Sequence, residues 1–234
     1  MSDKHYIVIG GTSGIGKALT QKLTEQGNQV QVYARHIPAT EEQINGATYH
    51  HADFSVALPF PLVPAVPIAG LAYCPGSIQL KPFRSLQEND FLADININLM
   101  GAIRAIKNFL PSLRQHGKSS ILLFSTVAVQ TGMMYHTSVA AAKGAVEGFT
   151  RSLAAELTPD ITVNVIAPSL TSTNLSAGII NTESKLNAAI NRHPLARIGN
   201  ASEIAAMAAL LLNPEGSWIT GQVITIDGGL SVLK

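Results

Sequence analysis

Residues 9–16 read IGGTSGIG, between the apolar run Tyr6–Ile9 and the stretch KALTQKL at 17–23. A strand-like run, a glycine turn and an amphipathic stretch, in that order, predict a β-strand that turns sharply into a helix. Gly10, Gly14 and Gly16 are spaced G-x3-G-x-G. Glycine at such positions permits a tight turn and lets the backbone approach a pyrophosphate closely. The helix that follows offers unpaired N–H groups and the positive end of its dipole to phosphate. An ordinary strand–helix turn also uses glycine. The strand before it, the helix after it and its place near the start of the chain favour dinucleotide binding. The candidate contacts there are Gly10, Thr12, Ser13, Gly14, Ile15 and Gly16.

Outward from this turn, short apolar runs alternate with helical patterns. Strands are expected at Tyr6–Ile9, Val30–Tyr33, Ala47–Tyr49, Ile68–Cys74, Ile121–Ser125, Val163–Ala167 and Val223–Ile226. They are almost continuously apolar, as in a parallel sheet covered on both faces. Ile15, Ala18, Leu19 and Leu23 mark one helical face that Gly27 ends. Val139–Leu157 is alanine-rich and amphipathic, and so is Ser202–Leu212, with Ser202 placed to cap it. The alternation predicts one α/β domain over residues 1–234: a Rossmann-type, doubly wound, mainly parallel seven-stranded sheet with helices on both faces. One crossover breaks the pattern. Pro59, Pro61, Pro64 and Pro67 lie between Asp53 and Tyr73, and a helix-interior proline costs ~3 kcal/mol, so an extended connection is expected there.

Composition narrows the function. A chain of 234 residues buries a sizeable core. Lys and Arg total 16 against 15 Asp and Glu, so no net field points to nucleic acid or an anionic membrane. Cys74 is the single cysteine, which precludes an intrachain disulfide and suits a reducing compartment. MSDKH leads directly into YIVIG without the pattern of a signal peptide. No apolar run reaches the roughly 20 residues needed to span a bilayer. The expectation is a cytoplasmic protein with a small-molecule substrate, and no nucleic acid or membrane partner.

The glycine spacing resembles the TGxxxGxG turn of the short-chain dehydrogenase/reductase family, and the resemblance extends over nearly the whole chain. NINLMG at 96–101 is similar to the family's NxxG segment, which places Asn98 at the catalytic asparagine. FSTVA at 124–128 resembles the active-site serine strand, with Thr126 at the serine position. VAAAKGAVEGFTRSLAAEL from Val139 resembles the YxxxK helix, with Lys143 in register. VNVIAPSLTST at 163–173 is similar to the segment that meets the nicotinamide, which implies Pro168, Thr171 and Thr173 as contacts. RIGNASEIAAMAALLL and WITGQVITIDGG match the family's C-terminal pattern.

The departures from that pattern are specific. YCPG, Tyr73 to Gly76, replaces NNAG, leaving Gly76 as a cofactor contact. Ser169 replaces the glycine of the PG pair. Val139 stands where the family carries its catalytic tyrosine, and valine neither donates nor accepts a proton.

The end of the second strand bears on the nucleotide. Members that prefer NAD place an acidic residue there for the ribose 2′-hydroxyl. This chain has Ala34 and Arg35. An arginine at that point clamps a 2′-phosphate through charge-assisted hydrogen bonds, so NADP(H) is expected ahead of NAD(H). A solvated surface arginine is the alternative. Asp53 falls where the family contacts adenine, and it is equally readable as a loop cap.

In the family the lysine holds the nicotinamide ribose and lowers the tyrosine pKa, the tyrosine protonates the alkoxide, the serine orients the carbonyl and the asparagine holds a relay water. The resemblance therefore implies Lys143, Asn98 and Thr126 as catalytic residues. Their alternatives are a solvated helix lysine, a cap or turn asparagine and a satisfied strand-end threonine. A replacement acid must sit near the substrate. His136, three residues before Val139, titrates near neutral pH and is the candidate, against its reading as a polar flank to the helix start. Tyr135, Tyr73 and a water relayed through Lys143 and Asn98 are the others. No metal is expected: the histidines lack helical ligand spacing and one cysteine makes no thiolate site.

Two functions compete on these grounds. One is an NADP(H)-dependent oxidoreductase of carbonyls or alcohols with an altered proton path. The other is a catalytically inactive NADP(H)-binding sensor or scaffold. The small residues Ala140, Ala141, Ala142 and Ala145 and the C-terminal segment resemble the family's assembly faces, which implies a homotetramer or homodimer.

Overall fold

Tyr6, Ile7, Val8 and Ile9 are at most 2 % exposed, so the first apolar run is buried on both faces as its composition requires. The computed structural model describes residues 4–57, 64 and 66–233. Its strands are β1 His5–Ile9, β2 Gln29–Ala34, β3 Ala47–His51, β4 Gly70–Tyr73, β5 Ser119–Phe124, β6 Ile161–Pro168, β7 Thr171–Ser172, β8 Gly199–Asn200 and β9 Val223–Ile226. Its α-helices are α1 Gly14–Glu25, α2 Glu88–Ile95, α3 Gly101–His116, α4 Ala128–Thr131, α5 Thr137–Leu157, α6 Glu183–Asn191 and α7 Ala201–Leu212.

Seven strands form one sheet in the order β3-β2-β1-β4-β5-β6-β9, and all of its pairings are parallel. The short β7 and β8 pair separately. Because strand side chains alternate between faces, Ile7 and Val8 enter different cores. On one face Phe109 and Leu113 of α3 and Val146 of α5 pack with Ile7, Leu71, Ile121 and Val163. On the other, Leu19 and Leu23 of α1 and Ile204 and Leu211 of α7 pack with Tyr6, Val8, Val32 and Leu122. The strand order reverses between β1 and β4, and in such sheets ligands bind in the crevice beyond the carboxyl ends of the strands at that point.

All seven expected strands are present, with ends shifted by one to two residues at most positions. The cap of α7 differs from expectation. Asn200, not Ser202, is its N-cap, in a reciprocal capping box with Glu203. Asn200 and Ser202 both suit a cap, but only Asn200 has a Glu three residues on, which satisfies a second orphan N–H. Among the described residues between Asp53 and Gly70 there is no helix. Pro59 and Pro61, on which the extended connection partly rests, lie outside the described residues.

Candidate active site

The turn between β1 and α1 is shaped by glycines that no other residue replaces. Gly10 and Gly14 have φ of +74° and +52°, a region that other residues occupy at a cost. A Cβ on Gly16 would stand 2.3 Å from the carbonyl oxygen of Gly10. The turn therefore lies flat against the helix start, and Ser13, the N-cap of α1, makes no side-chain cap bond. A cavity opens over this turn. Gly10, Thr12, Ser13, Gly14, Ile15 and Gly16 line it, and Arg35, Asp53 and Gly76 complete its wall.

Arg35 is exposed at the rim of this cavity. Asp53 serves both of its readings: it lines the cavity and caps the loop, accepting from Ser55 N at 2.8 Å and Ser55 Oγ at 2.6 Å. Burial pushes its carboxyl up. The Ser55 bonds and the charge of Arg35 outweigh that and hold it below the usual carboxylate value.

A second cavity adjoins the first, sharing Ile15, Cys74, Gly76, Thr173 and Leu175 with it. Thr126, His136, Val139, Lys143, Pro168, Ser169, Thr171 and Thr173 are among the residues that line it. The two cavities form a continuous groove across the carboxyl ends of the strands.

Lys143 is 7 % exposed and donates from Nζ to the carbonyl of Phe124 at 2.8 Å. Burial lowers its pKa to about 8, against the opposing pull of Cys74 and Asp94. Cys74 is part-exposed to the groove, yet its thiol is surrounded by protein, which pushes its pKa up to about 12. Thr126 Oγ1 accepts from the backbone N–H of Ala128 at 3.3 Å, which leaves its own proton available. His136 directs Nδ1 to the carbonyl of Met134 at 2.8 Å and makes no cap bond to α5. It flanks the helix and also faces the cavity. Val139 is 3 % exposed, so the tyrosine position presents only an apolar surface.

Asn98 is not in the cavity wall. It lies behind Gly76 in a π-turn, Asn96–Met100, that joins α2 to α3. Interruptions of this kind occur often at functional sites. Its Nδ2 donates to Ser77 Oγ at 2.9 Å and to the carbonyl of Asp94 at 2.8 Å. Its Oδ1 is buried without a hydrogen-bond partner among the described residues. Buried polar atoms nearly always have one. A Cβ on Gly76 would fall 3.3 Å from that oxygen and 3.5 Å from Lys143 Nζ, so the bare glycine keeps open a polar gap between them.

Tyr73, an alternative proton source, is taken by another role. Its hydroxyl donates to the carbonyl of Ile97 at 2.7 Å, and burial pushes its pKa far up. Gly101 makes room for it, since a Cβ there would stand 2.0 Å from the hydroxyl oxygen. Tyr135 is 48 % exposed and does not line either cavity.

The structure adds residues that sequence reasoning did not single out. Asp94, fully buried, accepts a short hydrogen bond from Ser77 Oγ and so anchors the Asn98 network. His193, 5 % exposed, reaches the second cavity from beyond α6 and bonds Ser169. Asp94 sits four residues before Asn98, a helical spacing that was visible in the chain. His193 lies in a segment without periodic pattern, and nothing local marks it.

Comparison with known proteins places the chain in a family. The family model described as Enoyl-(Acyl carrier protein) reductase matches residues 67–231. A tropinone reductase homologue of Arabidopsis thaliana is 30% identical over 243 residues, covering 97% of this chain and 92% of that protein. Carbonyl reductase family member 4 of Danio rerio is 29% identical, covering 97% and 98%. A short-chain type dehydrogenase/reductase from Mycobacterium ulcerans superposes with a TM-score of 0.86 at 25% identity, covering 98% of this chain and 90% of that one. The chain belongs to the short-chain dehydrogenase/reductase family, a family of oxidoreductases.

Proposed function

We propose that this protein is an NADP(H)-dependent oxidoreductase that interconverts a carbonyl and an alcohol, with the proton carried by a route that avoids position 139. One observation carries the reading. Lys143 and Thr126 meet in a cavity wall that is continuous with the glycine cradle, and Asn98 aims an unpaired oxygen at the same gap. A scaffold that only held a nucleotide would have no use for a second cavity with a buried lysine and a free hydroxyl.

The residues present fit a nicotinamide dinucleotide. The flat glycine turn and the open N–H groups of α1 suit a pyrophosphate, and the orphan oxygen of Asn98 suits a donor in the gap beside Gly76. When bound, such a nucleotide supplies or takes up a hydride. Arg35 would clamp a 2′-phosphate, and Asp53 would accept from the adenine end. Lys143 would hold the nicotinamide ribose with the donors that Phe124 leaves free. Thr126 would donate a hydrogen bond from its hydroxyl to the substrate oxygen and so orient it. Thr171, Thr173 and Pro168 would border the nicotinamide end.

The small-molecule substrate would occupy the second cavity, and the working form would be a homodimer or homotetramer. Among the described residues no helix is long and apolar enough to cross a membrane. The competing sensor reading rests on Val139 alone. Calorimetry tests the nucleotide directly: NADPH should bind at least tenfold more tightly than NADH, and equal affinities contradict the proposal.

A further inference from the structure

His193 and Ser169 form a hydrogen-bonded pair in the wall of the cavity that Val139 also lines. The imidazole is 5 % exposed and its Nδ1 lies 2.7 Å from the carbonyl of Ala189. A carbonyl oxygen only accepts, so Nδ1 carries a proton. In the neutral ring Nε2 is then a bare acceptor, and it sits 2.9 Å from Ser169 Oγ. Ser169 donates to it. In the imidazolium both nitrogens donate, the bond reverses, and the serine proton is released toward the cavity.

The rest of the environment supports this reversal. The backbone of Ser169 is fixed, with its N–H bonded to Ile226 O at 3.1 Å and its carbonyl to Thr171 Oγ1 at 3.0 Å. Asp227, 8 % exposed, is the carboxylate that faces the ring. Burial raises its pKa, and bonds from Ser231 and Gly229 together with the His193 charge bring it below the ordinary value. Arg192 and Lys143 are the cationic side chains, and His136 the other imidazole, among the residues that line the same cavity.

We propose that Ser169 is a catalytic residue that protonates the substrate oxygen, and that His193 acts through it as the proton source, in place of the tyrosine absent at 139. The inference rests on the oxidoreductase reading above, with a reduced nicotinamide nucleotide as the hydride donor. Hydride addition to a carbonyl carbon moves the C=O π pair onto oxygen. The new O–H bond forms with the proton of Ser169 Oγ. Ser169 regains a proton from His193 Nε2, and the neutral imidazole is recharged from water. In alcohol oxidation every transfer runs backward. The pair has the two properties a replacement acid needs: a ring nitrogen hydrogen-bonded to the hydroxyl it would reprotonate, and a position in the substrate cavity.

The test combines NMR with kinetics on the parent, His193→Gln and Ser169→Ala proteins. Histidine 15N spectra should show the Nδ1–H tautomer at high pH, and an Nε2 resonance that moves between about pH 5 and 9 and is displaced in Ser169→Ala. A His193 ring that stays neutral over that range overturns the proposal whether or not the protein turns over. With NADPH and a panel of small aldehydes and ketones, both variants should lose about 100-fold in kcat with KM little changed. His193→Gln should also lose the decline in kcat with rising pH that belongs to this ring, keeping the limb set by Lys143. NADPH consumption by the parent that is unchanged in both variants overturns this inference and leaves the oxidoreductase reading intact. A parent that consumes no NADPH across the panel overturns both. Melting curves of the variants separate a lost proton path from a lost fold.

Discussion

Lys143 Nζ is tied to the carbonyl oxygen of Phe124, 2.8 Å away, at the carboxyl end of β5. This bond fixes a buried ammonium at the junction of α5 with the sheet, where a neutral substrate and a nucleotide would meet. Its burial makes the lysine costly to keep charged. Its pKa is lowered from the ordinary 10.5 to about 8 by burial. Below pH 8 both folded and unfolded chains hold the proton. Between about 8 and 10.5 the unfolded chain holds it and the folded one does not, so this group makes stability rise with pH. Burial of Cys74 acts in the opposite direction above pH 9, because there the folded state holds the extra proton. In a Cys74→Ala background, Lys143→Met should therefore flatten the rise of unfolding free energy between pH 8 and 10.5, as read by urea titration. A parent and variant with parallel pH profiles would contradict the burial argument.

Arg35→Ala should weaken NADPH by about ten- to a hundredfold and leave NADH nearly unchanged. A lost hydrogen bond to a charged group costs ~1.5–3 kcal/mol, and 1.4 kcal/mol is about tenfold in affinity. Calorimetry on both nucleotides measures it. A similar loss for both would make Arg35 a general electrostatic contact.

Gly16→Ala places a methyl group 2.3 Å from a backbone oxygen of Gly10, so the turn must move. Since α1 and the turn also build the cradle, nucleotide binding should fall more than tenfold. The folded state should lose about 1–3 kcal/mol, the common range for a strained core position. Thermal melts and calorimetry check the two effects separately. An alanine that binds normally would mean that the close approach is not needed.

Trp218, Val232 and Leu233, in the C-terminal segment, are 99%, 72% and 60% exposed. Of the small α5 residues expected at an assembly face, Ala141 and Ala145 are exposed, whereas Ala142 is fully buried inside the chain and cannot serve one. A symmetric homo-oligomer remains the prediction. Light scattering at micromolar concentration should give a multiple of the 24.7 kDa chain mass. A mass of one chain would refute it, and Trp218→Lys should shift any oligomer toward smaller species.

The parts of this molecule that were legible in the chain are those where backbone geometry dictates residue type. Buried parallel strands demand unbroken apolar runs, which made β1, β4 and β5 plain; the edge strands β3 and β9 hold no buried residue and were read from their place in the alternation. The β1–α1 turn demands glycine at 10, 14 and 16. Lys143 was placed by its register in a helix, four residues after Val139. What was not legible depends on tertiary meeting. Ser169 and His193 are 24 residues apart and share no period. Tyr73 looked like a possible acid until its bond to the carbonyl of Ile97 was seen. The α7 cap was misplaced by two residues because a second cap-forming residue follows Asn200.

The central claim is that the chain turns over despite an apolar residue at the tyrosine position. NADPH consumption by the parent, Lys143→Ala and Val139→Tyr proteins on one reducible aldehyde tests it most directly. A positioned general acid contributes roughly 10²–10⁴-fold, so a substitute route should leave slow but measurable turnover in the parent, abolished in Lys143→Ala. A silent parent beside an active Val139→Tyr would contradict the account and make this protein a nucleotide-binding relative without chemistry of its own.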